Sequence, residues 1–281
     1  MSARQDWWYV RAYPGDATLM DRAAETLLPW LRDLAAREGA DRWFFVRYWD
    51  LTGHHLRLRL RLGADAADRL HGRLDDVVGL LRGLPAAGEA RRLVTGAAPM
   101  GTGGARHATT CLYAPELAKY GGTRGVGLAE ELFTASSAWI AGNSLIGFDQ
   151  PGARARLAVT FMRGLIEAAL PAAGHQEFWA AHRRQWGGQL RVLVRTQPEL
   201  NALLGRVADG VAQAEDVTGR LRHGLDEHVG QVVAALDRAE REDNPVPRPV
   251  LLLHYLHMEM NRWGFVPAEE CGLGVLAAST G

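Results

Sequence analysis

The chain has 281 residues, 47% hydrophobic and 23% charged, a composition able to bury a sizeable core. Lys plus Arg and Asp plus Glu are each 32, so the formal charge is zero; bulk binding of nucleic acid, which needs an excess of cations against phosphate, is not expected. No apolar run approaches a membrane span, and Cys111 and Cys271 have neither metal spacing nor a disulfide framework, so reduced thiols are expected. Residues 1–9 lack the basic and apolar regions of a secretory leader, which adds to the expectation of a cytoplasmic protein.

Asp6–Tyr13 is short and aromatic and predicts a strand, broken by Pro14-Gly15-Asp16. Leu19, Ala23, Leu27, Leu31 and Leu34 recur at helical spacing and predict a helix over Ala17–Arg37, with Gly39 placed to end it. Arg42–Trp49 predicts a second strand, and Asp50-Leu51-Thr52-Gly53 a hairpin turn. His55–Leu62 alternates strictly: Leu56, Leu58, Leu60 and Leu62 face one side, and His55, Arg57, Arg59 and Arg61 the other. Asp65–Leu84 returns to helical spacing.

Pro85–Gly104 reads as a loop with a short strand at Arg91–Thr95, and Ala108–Tyr113 as a further strand. Beyond Pro115 the pattern is helical, with helices predicted at Gly125–Ile146, Ala153–Ala169, Gln176–Trp186, Glu215–Arg241 and Val250–Trp263. The expected fold is α+β. An N-terminal antiparallel or mixed sheet with flanking helices, about residues 1–115, precedes a mostly helical half, about 116–270. The whole of 1–281 is expected to form one functional unit.

Three features carry candidate chemistry. The first is the arginine row Arg57, Arg59 and Arg61, with Arg47 on the neighbouring strand. Two readings stay open: a wetted sheet face, or a carboxylate-binding wall built from guanidinium forks. The second is Tyr113–Gly122, where Glu116 and Lys119 stand three apart before Tyr120 and a Gly-Gly corner. It is either a surface ion pair, worth about 0–1 kcal/mol, or a charged pair at a pocket lip. The third is the last predicted helix, where His254, His257 and Asn261 share a face beside Arg262. A metal pair there lacks an evident third ligand. A buried, hydrogen-bonded histidine or general acid/base work remains. No P-loop, dinucleotide fingerprint, nucleophile elbow or HExxH occurs, so no cofactor and no metal are expected.

In this order, WFFVRYWD with HHLRLRLRL, then YAPELAKYGG, then HMEMNRWGF resemble the C-terminal glutamate-elimination domain of class I lantibiotic dehydratases. That family includes stand-alone thiopeptide maturation proteins. The resemblance runs from about Trp7 to Phe265. It implies removal of glutamate from glutamylated Ser or Thr of a leader-bearing precursor peptide, leaving dehydroalanine or dehydrobutyrine. It implies a separate tRNA-dependent glutamylating partner, with no direct contact to nucleic acid or membrane; a homodimer is compatible with it. Carried over by position, the catalytic residues are Arg59, Glu116, Lys119 and His257. Arg57, Arg47, Tyr120, Asn261 and Arg262 are substrate-binding. Lys119 departs from the family, which usually carries Arg there, and a lysine neutralises a carboxylate without gripping it in a fork. Two other readings fit the same resemblance. One is a pyridine synthase joining two dehydroalanines in a formal aza-[4+2] cycloaddition with loss of the leader. The other is a non-catalytic subunit that binds the precursor peptide.

Overall fold

The computed structural model describes residues 5–88, 92–94, 104–147 and 150–279. The fold is α+β, as the periodicity predicts. By compactness the chain divides into two units. One is built from residues 1–90, 99–116 and 130–147, and the other from 91–98, 117–129 and 148–281.

The first unit is organised by the alternation of its third strand. Strands β1 (Gln5–Tyr13), β2 (Arg42–Asp50), β3 (Gly53–Gly63) and β4 (His107–Thr110) form an antiparallel sheet in the order β2-β3-β1-β4. Leu56, Leu58, Leu60 and Leu62 of β3 are fully buried. They share their face with Trp8 and Val10 of β1 and with Trp43 and Phe45 of β2. Helices α1 (Met20–Glu38), α2 (Ala64–His71) and α3 (Leu74–Arg82) cover that face. Each buried leucine contributes roughly 1.5–3 kcal/mol, and an arginine at Leu58 would break the layer. Trp8 Nε1–H is satisfied by the Leu70 carbonyl at 3.1 Å.

β2 is an edge strand, and its outward backbone needs partners. Helix α5 (Thr123–Asn143), whose residues from 130 onward belong to this unit, supplies them. Trp43 N–H donates to Thr134 Oγ1 and Phe45 N–H to Ser137 Oγ, both at 3.3 Å. The helix predicted over Asp65–Leu84 is two helices, because the chain turns at Gly72, whose N–H closes onto the Arg69 carbonyl.

The second unit contains α4 (Leu117–Tyr120), α6 (Pro151–Ala169), α7 (Ala172–Leu193), α8 (Gln197–Ala212), α9 (Thr218–Arg241), α10 (Arg248–Arg262) and α11 (Pro267–Ser279). Leu157, Phe161, Met162 and Leu165 of α6 are fully buried, and α6 packs against α8, α9 and α11. Residues 91 and 95 of the strand expected at Arg91–Thr95 lie outside the described residues, and 92–94 form no strand. Their backbone is engaged otherwise: Glu269 Oε1 accepts from Leu93 N–H at 2.8 Å and Val94 N–H at 3.4 Å. No helix among the described residues is long and apolar enough to cross a membrane.

Candidate functional site

In the first unit, the face of β3 opposite the leucines carries the arginine row. Cross-strand register sets its neighbours. Arg61 lies opposite Trp7, Arg59 opposite Tyr9 and Phe44, and Arg57 opposite Arg11 and Val46. Arg47 does not join the row. It pairs in register with Leu56 and therefore falls on the leucine face, where it meets Asp21 of α1 at 2.7 Å.

The arginines of this sheet fall into two classes. Arg11 pairs with Asp50 at 3.2 Å, Arg42 with Glu131 at 2.5 Å, Arg47 with Asp21, and Arg61 with Asp41 at 2.6 Å. Arg61 grips Asp41 with two donors and holds its carboxyl below the usual carboxylate range, with burial opposing. Arg57 and Arg59 pair with no acid among the described residues. Arg57 instead lies 3.3 Å over the Tyr48 ring. Arg59, 8% exposed, is enclosed by Tyr9, Phe44 and Tyr113 at 4.7, 5.2 and 4.8 Å. Aromatic faces attract a cation without neutralising it. Arg59 Nε is buried and has no hydrogen-bond acceptor among the described residues. Burial lowers the Arg59 pKa, with Tyr9 and Tyr113 opposing, and a guanidinium stays charged throughout.

Glu130, which sequence reasoning did not single out, completes this face together with Tyr113 and His55. The Tyr113 hydroxyl donates to Glu130 Oε1 at 2.9 Å. Burial raises the pKa of both, and the Glu130 charge raises that of Tyr113 further. Tyr113 therefore remains a protonated donor. His55 is fully buried and burial pushes its pKa down to about 4, Asp50 opposing, so it is neutral near pH 7. Glu116 is exposed and lies just ahead of the short helix that begins at Leu117.

In the second unit, Lys119 Nζ lies 5.3 Å from the Tyr120 ring centroid. Tyr120 is buried, stacks on Tyr255 at 6.0 Å and meets His254 edge-on at 6.3 Å. The Gly-Gly corner after it is fixed by Asn244, whose Nδ2–H donates to the Tyr120 carbonyl at 2.9 Å. Gly121 has φ +81°, and a Cβ there would overlap Asn244.

On α10, His257 Nδ1 lies 2.7 Å from Glu270 Oε2 of α11. Its ring stacks on Trp186 of α7 at 4.1 Å, and 23% of its side chain is exposed. Glu270 is fully buried and also faces His182 Nε2 at 3.5 Å. Burial raises the Glu270 pKa, but the adjoining His182 and the hydrogen-bonded His257 overcome it and the net shift is downward. Glu270 is thus an ionised carboxylate between two histidines. Arg262 is fully buried, bonded to the Met258 carbonyl at 3.1 Å and lying 3.5 Å from Glu259, while Asn261 is half-buried. Among the described residues no group of three or more His, Cys, Asp or Glu side chains is arranged to hold a metal ion. Both cysteines are free thiols.

The sequence profile of the family described as lantibiotic biosynthesis dehydratase C-term matches residues 7–280, and the chain belongs to that family. Among solved structures it matches TsrL at a TM-score of 0.63 and 18% identity, covering 99% of this chain and 94% of that one. It matches the pyridine synthase TbtD, from thiomuracin biosynthesis, at 0.62 and 20%, covering 97% and 96%. It matches the tRNA-dependent lantibiotic dehydratase MibB from Microbispora sp. 107891 at 0.55 and 19%, covering 99% of this chain and 28% of that one. At these identities the likeness is one of fold. No curated protein sequence matches the chain.

Proposed function

We propose that the chain is a glutamate-elimination enzyme acting on a glutamylated precursor peptide. A base removes the Cα proton of the glutamyl-Ser or glutamyl-Thr residue. The C–H electron pair becomes the Cα=Cβ double bond, the Cβ–O bond breaks, and glutamate leaves with that bond's electrons as a carboxylate. Arg57 and Arg59 bind the departing glutamate, His257 takes the proton and passes it to solvent, and Lys119 adds positive charge. Glu116 assists as a catalytic carboxylate and Asn261 contacts the peptide, while Tyr120, buried, acts from beneath the Gly-Gly corner. Arg262 acts from the core by holding α10. The substrate must arrive already activated, which calls for a separate tRNA-dependent glutamylating partner.

The observation that carries this reading is the division among the sheet arginines. Among the described residues Arg57 and Arg59 have no carboxylate within ion-pair distance, whereas their neighbours Arg11, Arg42, Arg47 and Arg61 each have one. A buried guanidinium without a counter-charge is costly, and a ligand carboxylate relieves that cost through charge-assisted hydrogen bonds. A second reading, formal aza-[4+2] cyclisation of two dehydroalanines, is favoured by the end-to-end correspondence with TbtD, 97% of this chain against 96% of that one. It leaves two carboxylate-free arginines without a task, since that reaction expels no carboxylate.

Mass spectrometry separates the two. A precursor peptide glutamylated on Ser is incubated with the protein, and a bis-dehydroalanine peptide is incubated in parallel. Elimination converts each glutamyl-Ser to dehydroalanine with one free glutamate. A persistent ester, with loss of water and leader from the bis-dehydroalanine peptide, contradicts elimination and establishes the cyclase.

A further inference from the structure

Three side chains of the second unit surround His257: Glu270, Trp186 and, behind Glu270, His182. Glu270 is fully buried on α11 and lies 2.7 Å from His257 Nδ1. An ionised carboxylate only accepts hydrogen bonds, so the nitrogen facing it must carry the proton. When the ring carries one proton its lone pair is then on Nε2, which has no hydrogen bond among the described residues. The ring cannot readily swing away, because its plane is stacked on Trp186, 24° from parallel.

Glu270 has a second histidine packed against it. Its Oε1 faces His182 Nε2 at 3.5 Å, and both side chains are fully buried. His182 in turn fills the space that a side chain at position 274 would take, since a Cβ on Gly274 would overlap its ring. Gly272 and Gly274 are poor helix residues in α11, each costing about 1 kcal/mol against alanine. At Gly274 the helix gives up that stability and gains room for His182.

We infer that Glu270 is a positioning residue: its carboxylate, braced by His182 in the space left by Gly274, fixes His257 as the Nδ1–H tautomer and assigns proton transfer to Nε2. The catalytic consequence rests on the elimination reading, while the tautomer does not. During turnover Nε2 takes the Cα proton, the imidazolium is stabilised by the Glu270 charge, and the proton leaves from Nε2 to solvent. Replacing the carboxylate by an amide lets the ring take the other tautomer, which blocks the base without removing it.

The test is the imidazole ¹⁵N spectrum of the full chain, followed with pH and read where the ring carries one proton, with the His257 signals assigned by their loss in His257→Phe. The expected result is protonated Nδ1 and unprotonated Nε2 in the wild type, moving toward protonated Nε2 in Glu270→Gln. With a glutamyl-Ser peptide, Glu270→Gln is expected to lower kcat by about 10²–10⁴-fold with KM little changed. A wild-type His257 protonated on Nε2 overturns the inference without reference to any variant or substrate. So does an unchanged kcat in folded Glu270→Gln. If the wild type shows protonated Nδ1 but leaves the glutamyl ester intact, the tautomer assignment stands and the elimination reading fails.

Discussion

Two glutamates in the second unit have the same burial and different surroundings. Glu259 on α10 lies between His228 Nε2, at 2.9 Å, and Arg262, at 3.5 Å. His228 and Arg262 are as buried as the carboxylate, and Phe161 stacks on the His228 ring. Glu270 on α11 also sits between two cationisable side chains, but one of them, His257, reaches solvent. The first cluster is a closed charge network with a permanent arginine cation, suited to fixing α10 against α9. The second, among the described residues, pairs its carboxylate with no permanent cation and has one open end, suited to gaining and losing a proton. The difference teaches that histidine–carboxylate pairing alone is no sign of catalysis; what separates the two is whether a proton can enter and leave.

The largest expected effect breaks the closed cluster. Glu259→Gln leaves the Arg262 charge buried without its carboxylate and should cost about 3–5 kcal/mol of stability, read by denaturant unfolding. Glu270→Gln leaves no permanent cation uncompensated and should cost about 1–3 kcal/mol. Equal losses in the two variants would erase the distinction.

His55 in the first unit sharpens the contrast from the other side, because burial depresses its pKa from 6.5 to about 4. For a depressed folded-state pKa, the stabilisation is complete above pH 6.5 and is lost as pH falls toward 4, since the unfolded chain binds the proton first. The difference corresponds to about 3 kcal/mol. Unfolding free energy measured across that window should fall, and His55→Phe should flatten much of the fall. An equal slope in that variant would assign the acid sensitivity elsewhere.

The smallest effect concerns Lys119. Lys119→Arg should keep elimination activity and Lys119→Ala should lower it by about tenfold, a difference of about 1.4 kcal/mol. Glutamate release by Lys119→Ala at the wild-type rate would remove Lys119 from the carboxylate-binding set.

How much of this was legible depended on the kind of signal. The alternation of β3 declared its own two faces, and the apolar spacing of α1 its buried stripe. The face of Arg47 was not legible, because it depends on the register that the Asp50–Gly53 turn imposes between β2 and β3. The helix α11 was missed because Pro267–Ser279 is small, glycine-containing and buried on several sides, and so shows no amphipathic period. Glu270 and His182 were missed with it: only the packing of α7, α10 and α11 brings them to His257. At α8 the sequence does carry a readable signal: Thr196 and Glu199 form a capping box, with Pro198 in the first turn.

The central claim is that Arg57 and Arg59, the sheet arginines with no carboxylate at ion-pair distance among the described residues, hold the glutamate that leaves. The most direct measurement is single-turnover release of glutamate from a peptide carrying one glutamyl-Ser, comparing wild type with Arg59→Met, which keeps the bulk and removes the charge. The account predicts that release falls by about 10²–10³-fold, the loss expected when one group that stabilises developing charge is removed, while thermal stability is held or raised. Release at the wild-type rate from folded Arg59→Met would contradict it.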